Sequence, residues 1–223
     1  MIVHDVEQGT LAWLQMHLGI PTASGLNNLL TTSFEKRTGE MVRTYIFKKV
    51  AEAWRGKPLV SLGSGGNWDT EQGMILETEA LPWFELEYET KVKRVGFITT
   101  DDNRFGCSPD GLILSADGQL ESVDCGLEIK CPAAHTHVKY LIDGKLPNEY
   151  AAQVHGGMFA TGFSRWVFVS YRRGFPALRV EVERDEEIQT KIQEAVDLFH
   201  LDFSAWLARL KTYENSDGER PAL

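Results

Sequence analysis

The chain has 223 residues, of which 43% are hydrophobic and 25% charged. Those proportions belong to a folded globular protein and exclude a disordered tail, a collagen-like fibre and a disulfide-stapled miniprotein. Lys and Arg total 23 against 32 Asp and Glu, a net charge of -9 that excludes a broad basic surface for nucleic acid but leaves room for one cationic channel.

In chain order, Glu7 to His17 reads as a helix carrying Leu11, Trp13 and Leu14. Thr22, Ala23 and Ser24 precede Leu26, Leu29 and Leu30, which predicts a second helix whose start is capped by hydroxyls. Gly39 to Trp54 places Met41, Tyr45, Ile46, Val50 and Trp54 at three- and four-residue spacing, again helical. Ser61 to Asn67 is glycine-rich and reads as a loop; it lacks the Gly-Lys-Ser/Thr ending of a P-loop. Thr70 to Glu87 carries Ile75, Leu76, Leu81 and Phe84 as a helix that Pro82 should kink or divide.

From Val92 onward the chain changes character. Val92–Thr99, Leu112–Leu114, Leu127–Cys131, Trp166–Tyr171 and Leu178–Val182 are short β-branched or aromatic runs that predict strands. Asp101, Asp102 and Asn103, and later Asp117 and Gly118, are turn signals between them. Helical text returns over Asn148–Thr161 and from Asp185 to about Lys211. The expected fold class is α+β, with a mixed central β-sheet flanked by helices.

Cys107, Cys125 and Cys131 are odd in number and lack metal-binding spacing, so they read as reduced thiols. The first ten residues have no basic region followed by an apolar one, and no run approaches the ~20 apolar residues of a membrane span. A soluble intracellular protein without a membrane partner is expected.

The chemistry is concentrated in Cys107–Gly111 and in Leu127, Glu128, Ile129 and Lys130. Side chains alternate along a strand, so Glu128 and Lys130 share one face while Ile129 points into the core. Asp110 follows a strand and precedes Glu128 by a span that suits a returning hairpin. An Asp and a Glu brought together offer oxygen ligands to a hard cation. Lys130 beside them could orient or deprotonate a water, or stabilise a reacting phosphate. Taken singly, Glu128 with Lys130 would be a surface ion pair worth at most ~1 kcal/mol, and Pro-Asp-Gly an ordinary turn.

Together these residues resemble the PD-(D/E)XK nuclease superfamily, with Pro109 and Asp110 followed by Glu128, Ile129 and Lys130 as its signature. The chain is similar, more closely, to phage recombination exonucleases of the lambda exonuclease type. Supporting matches are Glu7-Gln8-Gly9 with Ala12-Trp13, Leu18-Gly19-Ile20 with Thr22-Ala23-Ser24, Gly73 with Glu77, Ser108 to Gly111, Leu127 to Pro132, and Ala152-Gln153-Val154.

The resemblance implies a restriction-endonuclease-like core in a single nuclease domain over 1–223, with N-terminal helices over 1–60, the catalytic core over about 68–184 and a C-terminal helix over about 185–211. It implies that Asp110, Glu128 and the Ile129 carbonyl hold Mg²⁺, for which Mn²⁺ would substitute. Lys130 would handle the attacking water, Glu77 would be an additional acid near the metal, and Gln153 would position the water or Lys130. The implied activity is 5′-to-3′ exonucleolysis of double-stranded DNA, releasing mononucleotides and leaving 3′ single strands for recombination. The implied assembly is a homotrimeric ring around the DNA, acting with a single-strand annealing recombinase in the cytoplasm of a bacterium or phage-infected cell. The alternatives are an endonuclease of the same superfamily and a non-catalytic DNA-end-binding protein; an intact Asp110, Glu128 and Lys130 set argues against the second.

The terminal 5′ phosphate would be held by His17, Thr22, Ser24 and Ser108. A helix start at Thr22 presents free N–H groups and a positive dipole end to an anion, although most such sequences are ordinary caps. The family places an arginine just before the Leu-Gly pair, where this chain has His17, and Arg37 and Arg43 are the other nearby cations. His135 and His137 read as helix-face or loop residues, Cys131 as a packed thiol, and Ile188, Ile192, Val196, Phe199, Phe203, Trp206 and Leu210 as a core or subunit-contact stripe.

Overall fold

A computed structural model describes residues 1–59, 68–114, 123 and 125–215. In chain order its elements begin with β1 (Ile2–His4), α1 (Leu11–Met16), a 3-10 turn (Ala23–Asn28), α2 (Glu40–Arg55) and α3 (Trp68–Glu87). Short strands follow as β2 (Val92–Lys93), β3 (Phe97–Thr99), β4 (Gly106–Cys107), β5 (Gly111–Ile113) and β6 (Cys125–Lys130). The last elements are α4 (Ala134–Asp143), α5 (Asn148–Thr161), β7 (Arg165–Ser170), β8 (Leu178–Glu183) and α6 (Glu186–Asn215).

The main sheet has the order β2-β5-β6-β7-β8, and β1, β3 and β4 form a smaller one. Only β6 and β7 pair in parallel among these strands. A parallel pair needs a crossover, here supplied by α4 and α5. The mixed sheet with flanking helices is the α+β architecture expected.

Alternation divides the sheet. Leu127 and Ile129 of β6 and Val167 and Val169 of β7 join Leu76 and Phe84 of α3 in one buried cluster. Trp166 and Phe168 of β7 pack instead with Met158 of α5 and Phe199 of α6. The odd-numbered residues of β6 therefore face α3, and Glu128 and Lys130 face α5. That helix comes unusually close: a Cβ on Gly156 would sit 2.7 Å from Leu26, and one on Gly157 would sit 2.4 Å from the Trp166 ring. The two glycines let α5 press on the 3-10 turn and the sheet together, which brings Gln153, one turn earlier, against β6.

Several elements differ from expectation. Val92–Thr99 is not one strand: Val92 and Lys93 pair with β5, and the chain then leaves for the small sheet at Phe97. α3 runs undivided through Pro82, because Leu81 and Phe84 are buried on either side. Burying such side chains is worth roughly 1.5–3 kcal/mol each, enough to match the ~3 kcal/mol cost of an interior proline. The first helix is shorter than Glu7–His17 and starts at the Thr10 cap, whose hydroxyl accepts from the Trp13 N–H at 3.3 Å. After Thr22 the chain makes a six-residue 3-10 turn, and Thr22 makes no side-chain capping bond. β1, β4 and α4 have no counterpart in the sequence reading. The glycine-rich Ser61–Asn67 loop and the Asp117-Gly118 turn lie outside the described residues.

Candidate active site

Glu128 is 3% exposed, so its pairing with Lys130 is not a surface ion pair. Its Oε1 accepts from Lys130 Nζ at 2.5 Å and from Gln153 Nε2 at 2.6 Å. The Lys130 ammonium also lies 5.5 Å from the centre of the Tyr150 ring, which α5 presents one turn before Gln153. Asp110 arrives on the turn into β5, where its N–H donates to the Leu127 carbonyl at 3.0 Å. Its Oδ2 accepts from the Ile129 N–H at 2.6 Å, so the hairpin pins the Asp110 carboxylate to the residue after Glu128. Ile129 contributes its main chain here while its side chain is buried on the α3 side.

Burial pushes the Asp110 carboxyl above its usual range, opposed by the Ile129 N–H and the charges of Lys130 and Arg94. For Lys130, burial acts downward, but the Glu128 carboxylate and then Asp110 outweigh it and hold the side chain as an ammonium. An ammonium orients and donates; it does not abstract a proton.

Asp110, Glu128, Lys130 and Gln153 line a cleft of about 280 Å³ together with His17, Thr22, Ser24 and Ser108. Among its hydroxyl-bearing residues, Trp13 Nε1 donates to Ser108 Oγ at 2.8 Å, and the Thr22 and Ser24 hydroxyls lie 3.3 Å apart. His17 Nδ1 donates to the Trp13 carbonyl at 2.7 Å, and the ring packs against Trp13 and Phe97. Burial lowers its pKa, the Trp13 carbonyl opposes this and the Lys49 charge reinforces it. Beneath it, Lys49 donates to the His17 carbonyl at 2.8 Å and pairs with Glu52 at 3.2 Å. Arg37 donates instead to the Leu30 carbonyl, Arg43 lies over Phe47, and neither lines the cleft. The cationic alternatives to His17 are thus displaced, and the helix-dipole argument gives way to hydroxyls on a short turn.

A second cleft, of about 740 Å³, is lined by His4, Glu7, Lys93 and Arg94 among others and shares Gln8 and Asp110 with the first. Thr78 lines it too, which brings α3 to its wall; the side chain of Glu77 lies outside the described residues. Sequence reasoning gave no role to Gln8, Trp13 or Tyr150. The signal for Tyr150 was its place one helical turn before Gln153. Gln8 and Trp13 stood inside matched motifs.

The other candidates are structural. His137 is fully buried on α4, its Nδ1 2.7 Å from Ser170 Oγ and its Nε2 donating to the Pro176 carbonyl at 2.9 Å, while His135 is exposed. Burial raises the pKa of the Cys107 thiol, and all three cysteines are thiols rather than disulfide halves. Ile192, Val196 and Phe199 are core residues, and Ile188, Phe203, Trp206 and Leu210 pack against them.

Two adjacent carboxylates and a main-chain carbonyl are a hard-oxygen donor set of the kind Mg²⁺ takes. Among the described residues no group of three His, Cys, Asp or Glu side chains could hold a metal. The cation donors that the resemblance implies are Asp110 and Glu128, which line the first cleft, and Ile129, which lines the second.

The YqaJ-like viral recombinase domain matches residues 12–164 of the chain. No relative was found among curated proteins. Among solved structures, the chain is similar to an alkaline exonuclease (LHK-Exo) from Laribacter hongkongensis, with 26% identity over 92% of this chain and 98% of that one and a TM-score of 0.79. The complex of LHK-Exo with dAMP is similar at 27% identity over the same shares, with a TM-score of 0.78. A phage related exonuclease from Haemophilus somnus 129PT, 14% identical over 94% of this chain and 97% of that one with a TM-score of 0.55, shares the fold. No helix among the described residues is long and apolar enough to cross a membrane.

Proposed function

The chain belongs to the YqaJ-like viral recombinase domain family, and from that membership we propose that it is a Mg²⁺-dependent 5′-to-3′ exonuclease on double-stranded DNA. It releases mononucleotides and leaves 3′ single strands for recombination. The observation that carries this reading is one cleft of about 280 Å³ lined by two carboxylates, a lysine, a glutamine and a hydroxyl-rich end. The similarity to an alkaline exonuclease solved with dAMP supports both the activity and a mononucleotide product.

Asp110, Glu128 and the Ile129 carbonyl would hold the cation. A bound Mg²⁺, or Mn²⁺ in its place, would supply an activated water and offset charge on the scissile phosphate. Gln153 and Lys130 fix the Glu128 carboxylate from two directions, while the Ile129 N–H fixes that of Asp110. Lys130, kept protonated by its carboxylate neighbours, orients the water and stabilises charge on the reacting phosphate. Glu77, in the α3 segment, would be the further acid that the resemblance implies. Ser24, Thr22, Ser108 and the His17 ring receive the 5′ phosphate, which sets the length of the product at one nucleotide.

The net charge of -9 keeps the outer surface from holding DNA indiscriminately, and a homotrimeric ring would gather the local cations around the duplex. A single-strand annealing recombinase is the partner that takes up the 3′ strand, in the cytoplasm of a bacterial or phage-infected cell. Linear and covalently closed circular duplexes incubated with protein and Mg²⁺ test the reading. Digestion of the linear form alone supports it. Cutting of the closed circle would instead favour the endonuclease of the same superfamily, and end binding without cleavage would favour a silent end-binding protein.

A further inference from the structure

Gln8 and Asp110 are the two residues shared by the two clefts. Gln8 is far from the signature in sequence, yet its Nε2 donates at 2.9 Å to the Pro109 carbonyl and at 2.9 Å to the Val95 carbonyl. Both amide hydrogens are thereby committed to main chain. The Pro109 carbonyl belongs to the peptide that delivers Asp110. The segment bearing Gln8 is itself fixed by backbone contact: a Cβ on Gly96 would lie 1.6 Å from the Val6 carbonyl oxygen, so only glycine lets it approach there. Five residues after Gln8, Trp13 donates to Ser108 at 2.8 Å and takes the same turn from its other flank.

We propose that Gln8 is a positioning residue for the metal ligand Asp110. It works as a strut from the N-terminal segment onto the peptide before that aspartate, with Val95 as its second anchor. This inference rests on the reading of Asp110 and Glu128 as the cation site. Asp110 is held on one side by the Ile129 N–H; the strut sets where the carboxylate starts from. Groups that orient metal ligands from outside typically govern metal affinity by roughly 10–100-fold.

The test is calorimetric titration of Mg²⁺ and Mn²⁺ into the full chain without DNA, beside the Mg²⁺ dependence of digestion. Gln8→Glu keeps the size of the side chain and removes both donors; Gln8→Ala removes the side chain. Each is expected to weaken metal binding about tenfold or more and to raise the Mg²⁺ concentration for half-maximal digestion by the same factor. Saturating Mg²⁺ should then recover kcat to within a few-fold, with little change in Tm because Gln8 is exposed. A purely structural residue would lower Tm and leave the metal titration alone. Unchanged metal affinity in a folded Gln8→Glu protein would overturn the proposal. If the unaltered chain bound no divalent cation and digested nothing, the cation site itself would be wrong, an outcome distinct from failure of the strut.

Discussion

The two ends of the cleft are built on different principles. At the carboxylate end, strand alternation and a hairpin register place Asp110, Glu128 and Lys130, and every one is held by a hydrogen bond or ion pair. At the hydroxyl end, Thr22 and Ser24 sit on a short 3-10 turn, Ser108 on a loop, and the single imidazole is pressed towards neutrality. Fixed charge is gathered where bonds would break, and the end that would recognise the substrate relies on neutral donors. Chemistry and recognition should therefore fail separately, and to different extents.

The largest separation is expected from Glu128→Gln. Digestion should fall about a thousandfold or more, the scale on which a principal catalytic group is missed. Binding to 5′-phosphorylated ends in Ca²⁺, which suits the carboxylates but places water poorly, should persist; loss of both together would deny that the ends act separately. Lys130→Ala should also lose turnover while keeping its calorimetric metal binding, since it holds no cation.

Asp110→Asn should abolish cleavage and yet stabilise the fold. The folded Asp110 carboxyl sits above its usual pKa because it is buried. Its contribution to stability is complete below the ordinary carboxylate range and is lost as pH rises through the shifted value, so at neutral pH the charge opposes folding. Removing it should raise Tm by a few degrees at pH 7 in the absence of metal, about 1 kcal/mol being worth roughly 2–4 °C in a chain this long. The gain should disappear in acid; a lower Tm at pH 7 would contradict it.

At the other end the effects shrink. Ser24→Ala should slow digestion of a 5′-phosphorylated duplex about tenfold, from the roughly 1.5–3 kcal/mol of a hydrogen bond to a charged group, and barely touch a 5′-hydroxyl duplex. Equal slowing of both would remove the hydroxyls from phosphate recognition. The smallest effect concerns His17. A half-buried imidazole with a lowered pKa gains its proton only below the ordinary range near 6.5, so the preference for phosphorylated ends should stay flat from pH 8 to 6.5 and rise beneath it. The 5′-hydroxyl duplex is the control for titration elsewhere, and a rise already complete at pH 7 would mean that His17 is charged in the complex.

The same contrast governs what could be read from sequence. Strands β6 and β7 and the facing of Glu128 and Lys130 follow from alternation, and the Asp110 hairpin from turn chemistry and span. Gln153 and the hydroxyl residues were reached through matched motifs. Gln8 escaped because both of its bonds run to main-chain carbonyls about a hundred residues away, and no local periodicity records them. β4 is two residues long, too short for any pattern, and β1 exposes Ile2 and Val3. α4 buries a histidine and a tyrosine where an amphipathic helix usually buries aliphatic residues. The loss of the capped helix at Thr22 is tertiary: α5, made slim by Gly156 and Gly157, crowds the turn.

Polarity of digestion bears most directly on the proposal that the cleft cuts at its carboxylates and holds a phosphate at its hydroxyls. A linear duplex labelled at the 5′ or the 3′ terminus of one strand, with 5′ phosphates and Mg²⁺, measures it. Immediate release of the 5′ label as a mononucleotide, with the 3′ label retained until the strand is nearly consumed, is the expected result. Early release of the 3′ label, or release of both as long fragments, would contradict it.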